Sequence, residues 1–321
     1  MDTLSEVLRA VRLTGAVFFS IDASAPWAAD APEGQAVVPH IMPGAEHVIE
    51  YHVVTRGSCW GGLLDQPPVL LEAGDVIVFP QGDAHVLSSE PGMREAPDFD
   101  LFRNLRTSRL PVEVSLGGGS EERTQIICGF FGCDARPFNP LLAALPRVLH
   151  LPAEKVRNPV LHQLVHLAMR ESSLPEAGTD CVLARVSELL FVEVVRSHVG
   201  ALPIETTGWL AGLRDNRIGK ALQCLHARPA HAWTLDELAK EVGVSRSVLA
   251  ERFAHFVGIP PIQYLAKWRL QLAASLLRTT QQSLAEVAAE VGYGSETALS
   301  HAFKRDVGVS PAHYRRRSAR E

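Results

Sequence analysis

"LAKEVGVSRSVLAERF", residues 238–253, returns in altered form as "VAAEVGYGSETALSHAF" at 287–303. Leu235, Ala239, Val242 and Gly243 stand 49 residues before Leu284, Ala288, Val291 and Gly292. After one inserted residue the offset becomes 50, and Phe253, Gly258, Pro261 and Tyr264 match Phe303, Gly308, Pro311 and Tyr314. The chain therefore uses one helical unit twice. Within a unit, Leu238 and Val242 form an apolar stripe, and Ala239 is small enough for a second helix to cross closely. Gly243 and Gly292 supply a turn where positive φ is cheapest. Ser245 and Ser295 stand where an N-cap would open the second helix, and Leu249, Phe253 and Val257 run down its buried side. This leaves Arg246, Ser247, Glu251 and Arg252 on the outer face of one copy. In the other copy Glu296, Thr297, Ser300, His301, Lys304 and Arg305 take that place.

Charge divides along the chain. The net charge is -5, yet residues 209–321 hold 16 Lys+Arg against 10 Asp+Glu, leaving 15 against 26 for residues 1–208. A basic C-terminal part suits phosphate contacts at that end. The longest apolar runs are cut by charges, and residues 1–20 lack a basic start with a small-residue cleavage site, so a cytoplasmic protein without membrane segments is expected. Five cysteines with no CxxC pair suit a reducing compartment rather than a disulfide framework.

Upstream of the repeat the pattern changes. Short β-type runs, "GAVFFSI", "HVIEYHVV", "VLLEAGDVIVFP" and "RTQIICGFF", lie between residues 15 and 132, separated by Gly, Pro and Asp clusters. They predict a small antiparallel barrel or sandwich. Apolar spacing of three and four then predicts helices over 138–199, and "GALPIETTG", 200–208, reads as a linker. The helical stretch either covers one side of the sheets or pairs two copies as a homodimer.

With the double unit, the closing "GIPPIQY" and "GVSPAHY" phrases, the "WRLQLAASLLR" helix (268–278) and the basic tail "YRRRSAR", residues 209–317 resemble the AraC/XylS family of transcription regulators. The resemblance implies that each module lays its second helix in the major groove. Two such helices about one DNA turn apart, roughly 34 Å, would read adjacent boxes of promoter DNA on one face. Arg246, Ser247, Glu296 and His301 would contact bases. Lys304, Arg305, Arg315 and Arg316 would contact phosphates. Leu299 and His301 depart from the Phe and Arg usual in the family, which changes what the second module reads. RNA polymerase is a further candidate partner, and both activation and repression remain open.

"GDVIVFPQGDAH", Gly74 to His85, resembles the second conserved motif of cupins, with glycine turns at Gly74 and Gly82 and a histidine placed inside. The first motif is incomplete. Glu50 lies seven residues before Gly57, as the cupin glutamate does, but Gly44 and Glu46 replace the paired histidines. His47 has the wrong strand parity relative to Glu50, and His52 has the right one. His52, His85 and Glu50 would suit zinc or iron; histidines hydrogen-bonded in a site without metal are the alternative. "EYHVVTRGSCW" and "QIICGFFGCD" resemble the sensor domain carried by a subgroup of these regulators, which implies a small-molecule or oxidant effector. Some relatives respond to oxidants or electrophiles, which would make Cys59 and Cys128 redox candidates, although the apolar neighbours of Cys128 favour a buried thiol with raised pKa. Cys181 and Cys224, in helical runs, read as core.

The expected chain is thus α+β in two domains. A cupin-like effector barrel covers 1–137, a helical dimerisation or support segment 138–199, a linker 200–208, and an all-α DNA-binding domain with two helix-turn-helix modules 209–321. The contrasting reading is a metal-dependent cupin enzyme carrying a DNA-binding domain.

Overall fold

The computed structural model describes residues 2–103, 111–154, 158–173, 176–203 and 205–318, so the last two residues of the "YRRRSAR" tail lie outside the described residues. The chain forms two compact units, one built from Leu13–Cys133 and Pro146–Ala201, the other from Met1–Arg12, Asp134–Leu145 and Leu202–Glu321.

The first unit is a pair of sheets. Its strands are β1 (Thr14–Ser24), β2 (Ala28–Ala31), β3 (His47–Arg56), β4 (Ser58–Leu63), β5 (Val69–Glu72), β6 (Val76–Phe79), β7 (His85–Ser88), β8 (Val112–Gly117), β9 (Arg123–Cys133) and β10 (Leu149–Leu151). They run in the orders β10-β6-β3-β9-β1-β8 and β2-β7-β4-β5. Expected as a barrel, the unit is a sandwich that does not close: among the described residues no ladder joins one sheet to the other. The edge strands β2, β5 and β10 span four, four and three residues, too short to carry a register around the edge. Phe19, Ile21, Val54, Leu71, Phe79, Leu87, Ile126 and Phe130 fill the space between the sheets.

The opposite face of the six-stranded sheet explains why β3 and β9 are apolar on both sides. Helices α5 (Pro159–Ser173) and α6 (Thr179–Ala201) belong to this unit. On α6, Phe191 packs on Phe131 with ring centroids 5.0 Å apart, and Ser187 Oγ lies 2.8 Å from the hydroxyl of Tyr51. Gly15 and Gly129 are required by close approach: an added Cβ would lie 2.8 Å from the Ala184 carbonyl oxygen and 2.4 Å from the Tyr51 ring. Cys181, expected in the core, is exposed, because it falls on the outer face of α6 where helical periodicity alone assigns no side. Two short helices complete this unit, α2 (Gly34–Ile41) and α3 (Phe99–Arg103).

The second unit is all helical. It holds α1 (Thr3–Ala10), α4 (Pro140–Ala144), α7 (Trp209–Arg214), α8 (Asn216–Ala227), α9 (Leu235–Val242), α10 (Arg246–Val257), α11 (Pro261–Thr279), α12 (Leu284–Val291), α13 (Glu296–Val307) and α14 (Pro311–Ser318). The long helix α11 is its axis. Trp268, Tyr264 and Phe253 are fully buried on the first-module side, and Leu277, Phe303 and Leu299 on the other. Each such side chain contributes about 2 kcal/mol of transfer free energy. Buried Gln271 on α11 ties in the distant segments: it accepts a hydrogen bond from the Phe138 amide at 3.1 Å and donates to the Ala10 carbonyl at 3.0 Å. Arg12 and Arg278 both pair with the buried carboxylate of Asp134, and Arg278 also donates to the Tyr314 hydroxyl.

Candidate nucleic-acid interface and effector pocket

The repeated phrase folds as two matched helix pairs. In the first, Thr234 Oγ1 caps α9 by accepting from the Glu237 amide at 3.1 Å, Gly243 ends it at φ 73°, and Ser245 Oγ caps α10 through the Val248 amide at 3.3 Å. In the second, Ser283 and Glu286 form a capping box on α12, Gly292 ends it at φ 88°, and Ser295 Oγ caps α13 through the Ala298 amide at 3.1 Å. The caps fix where each second helix begins, and hence which side chains point outward. Leu249 and Phe253 are buried on α10, Leu299 and Phe303 on α13. Arg246, Ser247, Glu251, Arg252, Ser295, Glu296, Thr297, His301, Lys304 and Arg305 are exposed, and Ser300 is half-buried.

In the sheet unit, β1, β2, β3, β7, β8, β9 and α3 line a pocket of about 170 Å³. Strand parity sends Glu50 and His52 of β3 into it beside Cys128 and Phe130 of β9, their register partners being His52 with Cys128 and Glu50 with Phe130. His85 enters from β7 of the other sheet and stacks on Phe79 with centroids 3.7 Å apart. Phe19, Phe102 and Phe130 form an edge-to-face cluster on the wall, and Asp30, Glu95 and Asp98 line the pocket too.

The hydrogens of the two imidazoles follow from their partners. The Asp83 carbonyl, 2.9 Å from His85 Nδ1, can only accept, so Nδ1 carries the hydrogen and His85 Nε2 is bare in the neutral ring. His52 Nε2 lies 2.7 Å from that nitrogen and must donate to it. His52 Nδ1 is then bare as well, and neither it nor Glu50 Oε1 meets a partner among the described residues. Burial sets the charges. It pushes the Glu50 carboxyl up to about 8 and His85 down to about 4. His52 is driven well below its usual value by burial and by His85 beside it.

Residues 2–200 match the cupin family, and residues 238–317 match a helix-turn-helix domain. An AraC-like transcription regulator of Streptomyces lividans is 32% identical, with 98% of this chain and 98% of that one aligned. The HTH-type transcriptional regulator AlkR of Acinetobacter baylyi is 30% identical over 99% of this chain and all of its own, and MtrA of Neisseria gonorrhoeae 30% identical over 98% of each. The chain belongs to the AraC-like transcription regulators. It is a DNA-binding regulator with a cupin N-terminal domain, and no helix among its described residues is long and apolar enough to cross a membrane.

Within this regulator the expected outward residues differ in what holds them. Arg252 pairs with Asp215 at 2.5 Å, Arg246 reaches Asp236 at 3.5 Å, and Arg305 reaches Asp306 at 3.0 Å. Arg315 donates to the carbonyls of Gln282 at 2.6 Å and Leu277 at 3.3 Å, a backbone-bracing role. His47, set aside on parity, turns to the Pro80 carbonyl at 2.7 Å, whereas Glu50, His52 and His85 converge with ligand atoms within 4.8 Å of one another. Cys59 and Cys128 are both buried. Burial, with Asp75 nearby, pushes Cys59 up to about 12, and burial, Cys59 and Glu50 push Cys128 well above the usual thiol range. The acidic lining residues and the part of α3 in the pocket wall were not found from the sequence. Asp98 Oδ1 accepts from the Asp100 and Leu101 amides at 3.0 and 3.3 Å, an N-cap signature that was readable there.

Proposed function

We propose that this regulator binds a small effector in the sheet pocket, and that occupancy biases how its two modules engage adjacent major grooves of a promoter. The observation that carries the reading is a largely apolar pocket containing two buried polar atoms without partners among the described residues, Glu50 Oε1 and His52 Nδ1. A buried unpaired polar atom costs about 1–3 kcal/mol, and a ligand that pairs it recovers that cost. Strands β1 and β9, which bring Phe19, Ile21, Cys128 and Phe130 to the pocket, run directly into Arg12 and Asp134 of the DNA-binding unit. An effector that favours one arrangement of those strands shifts the population by its differential affinity.

Arg246, Ser247, Glu251, Glu296, Thr297, Ser300 and His301 are assigned to base edges, and Arg252, Ser295, Lys304, Arg305 and Arg316 to phosphates; exposure and helix position support this. A homodimer through α6 fits as well. Val182, Leu189, Val192 and Val199 recur along one side of α6, Leu189 being 55% exposed, and a two-fold axis would set this stripe against its own copy. RNA polymerase is the remaining partner of this reading.

The test is DNA retention by the full chain on its own upstream region, with and without effector candidates. Sequence-selective, salt-sensitive binding that changes on ligand addition, and no longer changes when Leu116→Trp fills the pocket, supports the reading. Unchanged DNA binding under every ligand that binds the protein would sink it.

A metal is the second reading. Two imidazoles and a carboxylate suit zinc or iron, and the His85 Nδ1 bond to Asp83 is the kind of outer contact that orients a ligand. His52 would have to move its hydrogen to Nδ1, which has no acceptor among the described residues. Metal bound in stoichiometric amount and lost in His85→Ala would favour this reading, and turnover on top of it would favour the enzyme. The raised thiols of Cys59 and Cys128 weigh against a thiolate sensor.

A further inference from the structure

We propose that the effector is a lipophilic cation, an apolar body ending in a protonated amine whose N–H groups meet Glu50 Oε1 and His52 Nδ1. This rests on the effector reading above and narrows it to a chemical class. Both unpartnered atoms are buried, Glu50 being 1% and His52 6% exposed, and both residues line the pocket. His52 Nδ1 is a bare nitrogen by the hydrogen-bond logic of the pair, so it needs a donor; a carboxylate or phosphate head has none to give. A hydroxyl brings one donor and an ammonium up to three, enough for both atoms at once.

Charge points the same way. Among the described residues that line the pocket there is no lysine or arginine, while Asp30, Glu95 and Asp98 line it too, the last two on the exposed side. Arg94 is held by Asp30 at 2.6 Å, which leaves the other two carboxylates to act on an incoming charge. An anionic head driven inward would find no lysine or arginine among the described lining residues to offset its burial, an unfavourable arrangement. A cation is drawn in by these carboxylates and met by acceptors at the base. The aromatic cluster of Phe19, Phe102 and Phe130 supplies faces and edges for the body of such a molecule.

The experiment uses the chelator-treated full chain and titrates it at neutral pH, by calorimetry and thermal shift, with primary amines, alcohols and carboxylates on identical alkyl and phenylalkyl bodies from hexyl to dodecyl. The expected order is amine, then alcohol, then carboxylate, with the amine about tenfold tighter than its alcohol. Glu50→Gln should remove the amine's advantage, and Leu116→Trp should abolish binding of the whole series. Carboxylates binding best, or all three heads binding alike, would overturn the cation while leaving the pocket an effector site. Binding indifferent to Leu116→Trp, or no binding anywhere in the series, would remove both the cation and the pocket reading beneath it.

Discussion

Arg252, on the second helix of the first module, holds Asp215 at 2.5 Å, and the same carboxylate caps α8 through the amides of Arg217 and Ile218 at 3.0 and 2.9 Å. The pair joins the outward face of α10 to the start of the helix behind it. Asp215→Ala removes a cap and should lower stability by about 1 kcal/mol. Arg252→Ala breaks only a half-exposed ion pair and should cost less than about 1 kcal/mol. If Arg252 also neutralises a phosphate, its loss lowers the salt slope of DNA binding by about one unit, which a titration across ionic strength would read directly.

Gln271 serves two backbone groups from a fully buried position. Gln271→Leu keeps the volume and strands the Phe138 amide and the Ala10 carbonyl. Chemical unfolding of the full chain should show a loss of about 2–4 kcal/mol. A loss below the error of the measurement would mean that water reaches both groups.

The two αL glycines of the second module separate strain from space. Gly308, at φ 85°, has nothing within 4 Å of an added Cβ, and Gly308→Ala should cost about 1 kcal/mol from backbone conformation alone. Gly292, at φ 88°, would place that Cβ 2.5 Å from Ala230 Cα. Gly292→Ala should therefore be clearly the more damaging of the two, as a larger fall in Tm.

His226 is buried in the first module, where its Nε2 lies 2.8 Å from the Tyr264 hydroxyl, which accepts from Trp209 Nε1. Burial lowers it from 6.5 to about 3. The unfolded chain thus binds a proton that the folded chain refuses across that window, so stability falls as pH drops from about 6.5 toward 3, by up to about 1.4 kcal/mol per pH unit. His226→Phe should flatten this part of the profile relative to the unaltered chain. Identical slopes in urea titrations of the two proteins would place the proton elsewhere.

Arg246→Ala and His301→Ala each alter one module. Each should relax base preference at one box by about 1–3 kcal/mol and leave the fold intact. Binding-site selection from randomised DNA tests this, and unchanged selection by both variants would remove these residues from the base-reading set.

Where a residue's role is set by local spacing, the sequence was legible. The glycine, serine and alanine positions of the repeat are dictated by the turn, the cap and the helix crossing, all within about fifteen residues, and parity alone chose His52 over His47. Contacts across long separations were not legible. Nothing near residue 12 or 134 announces that Arg12 and Asp134 belong with α11, and nothing in "EAPDFDLF" says that its carboxylates border a pocket whose base lies on β3 and β7. The choice between barrel and sandwich stayed open for a related reason, since strand count allows either and pairing between distant edge strands decides closure.

The bridge from Gln271 to Ala10 spans 261 positions. Gln271 therefore lies far downstream of α1, whereas α4 and α8, which also pack on α1, come before it. The residues of the sheet unit end at Ala201, ahead of all of α11. A product that stops within α11 would thus keep the residues of the pocket and of the first helix pair and lose the second pair altogether.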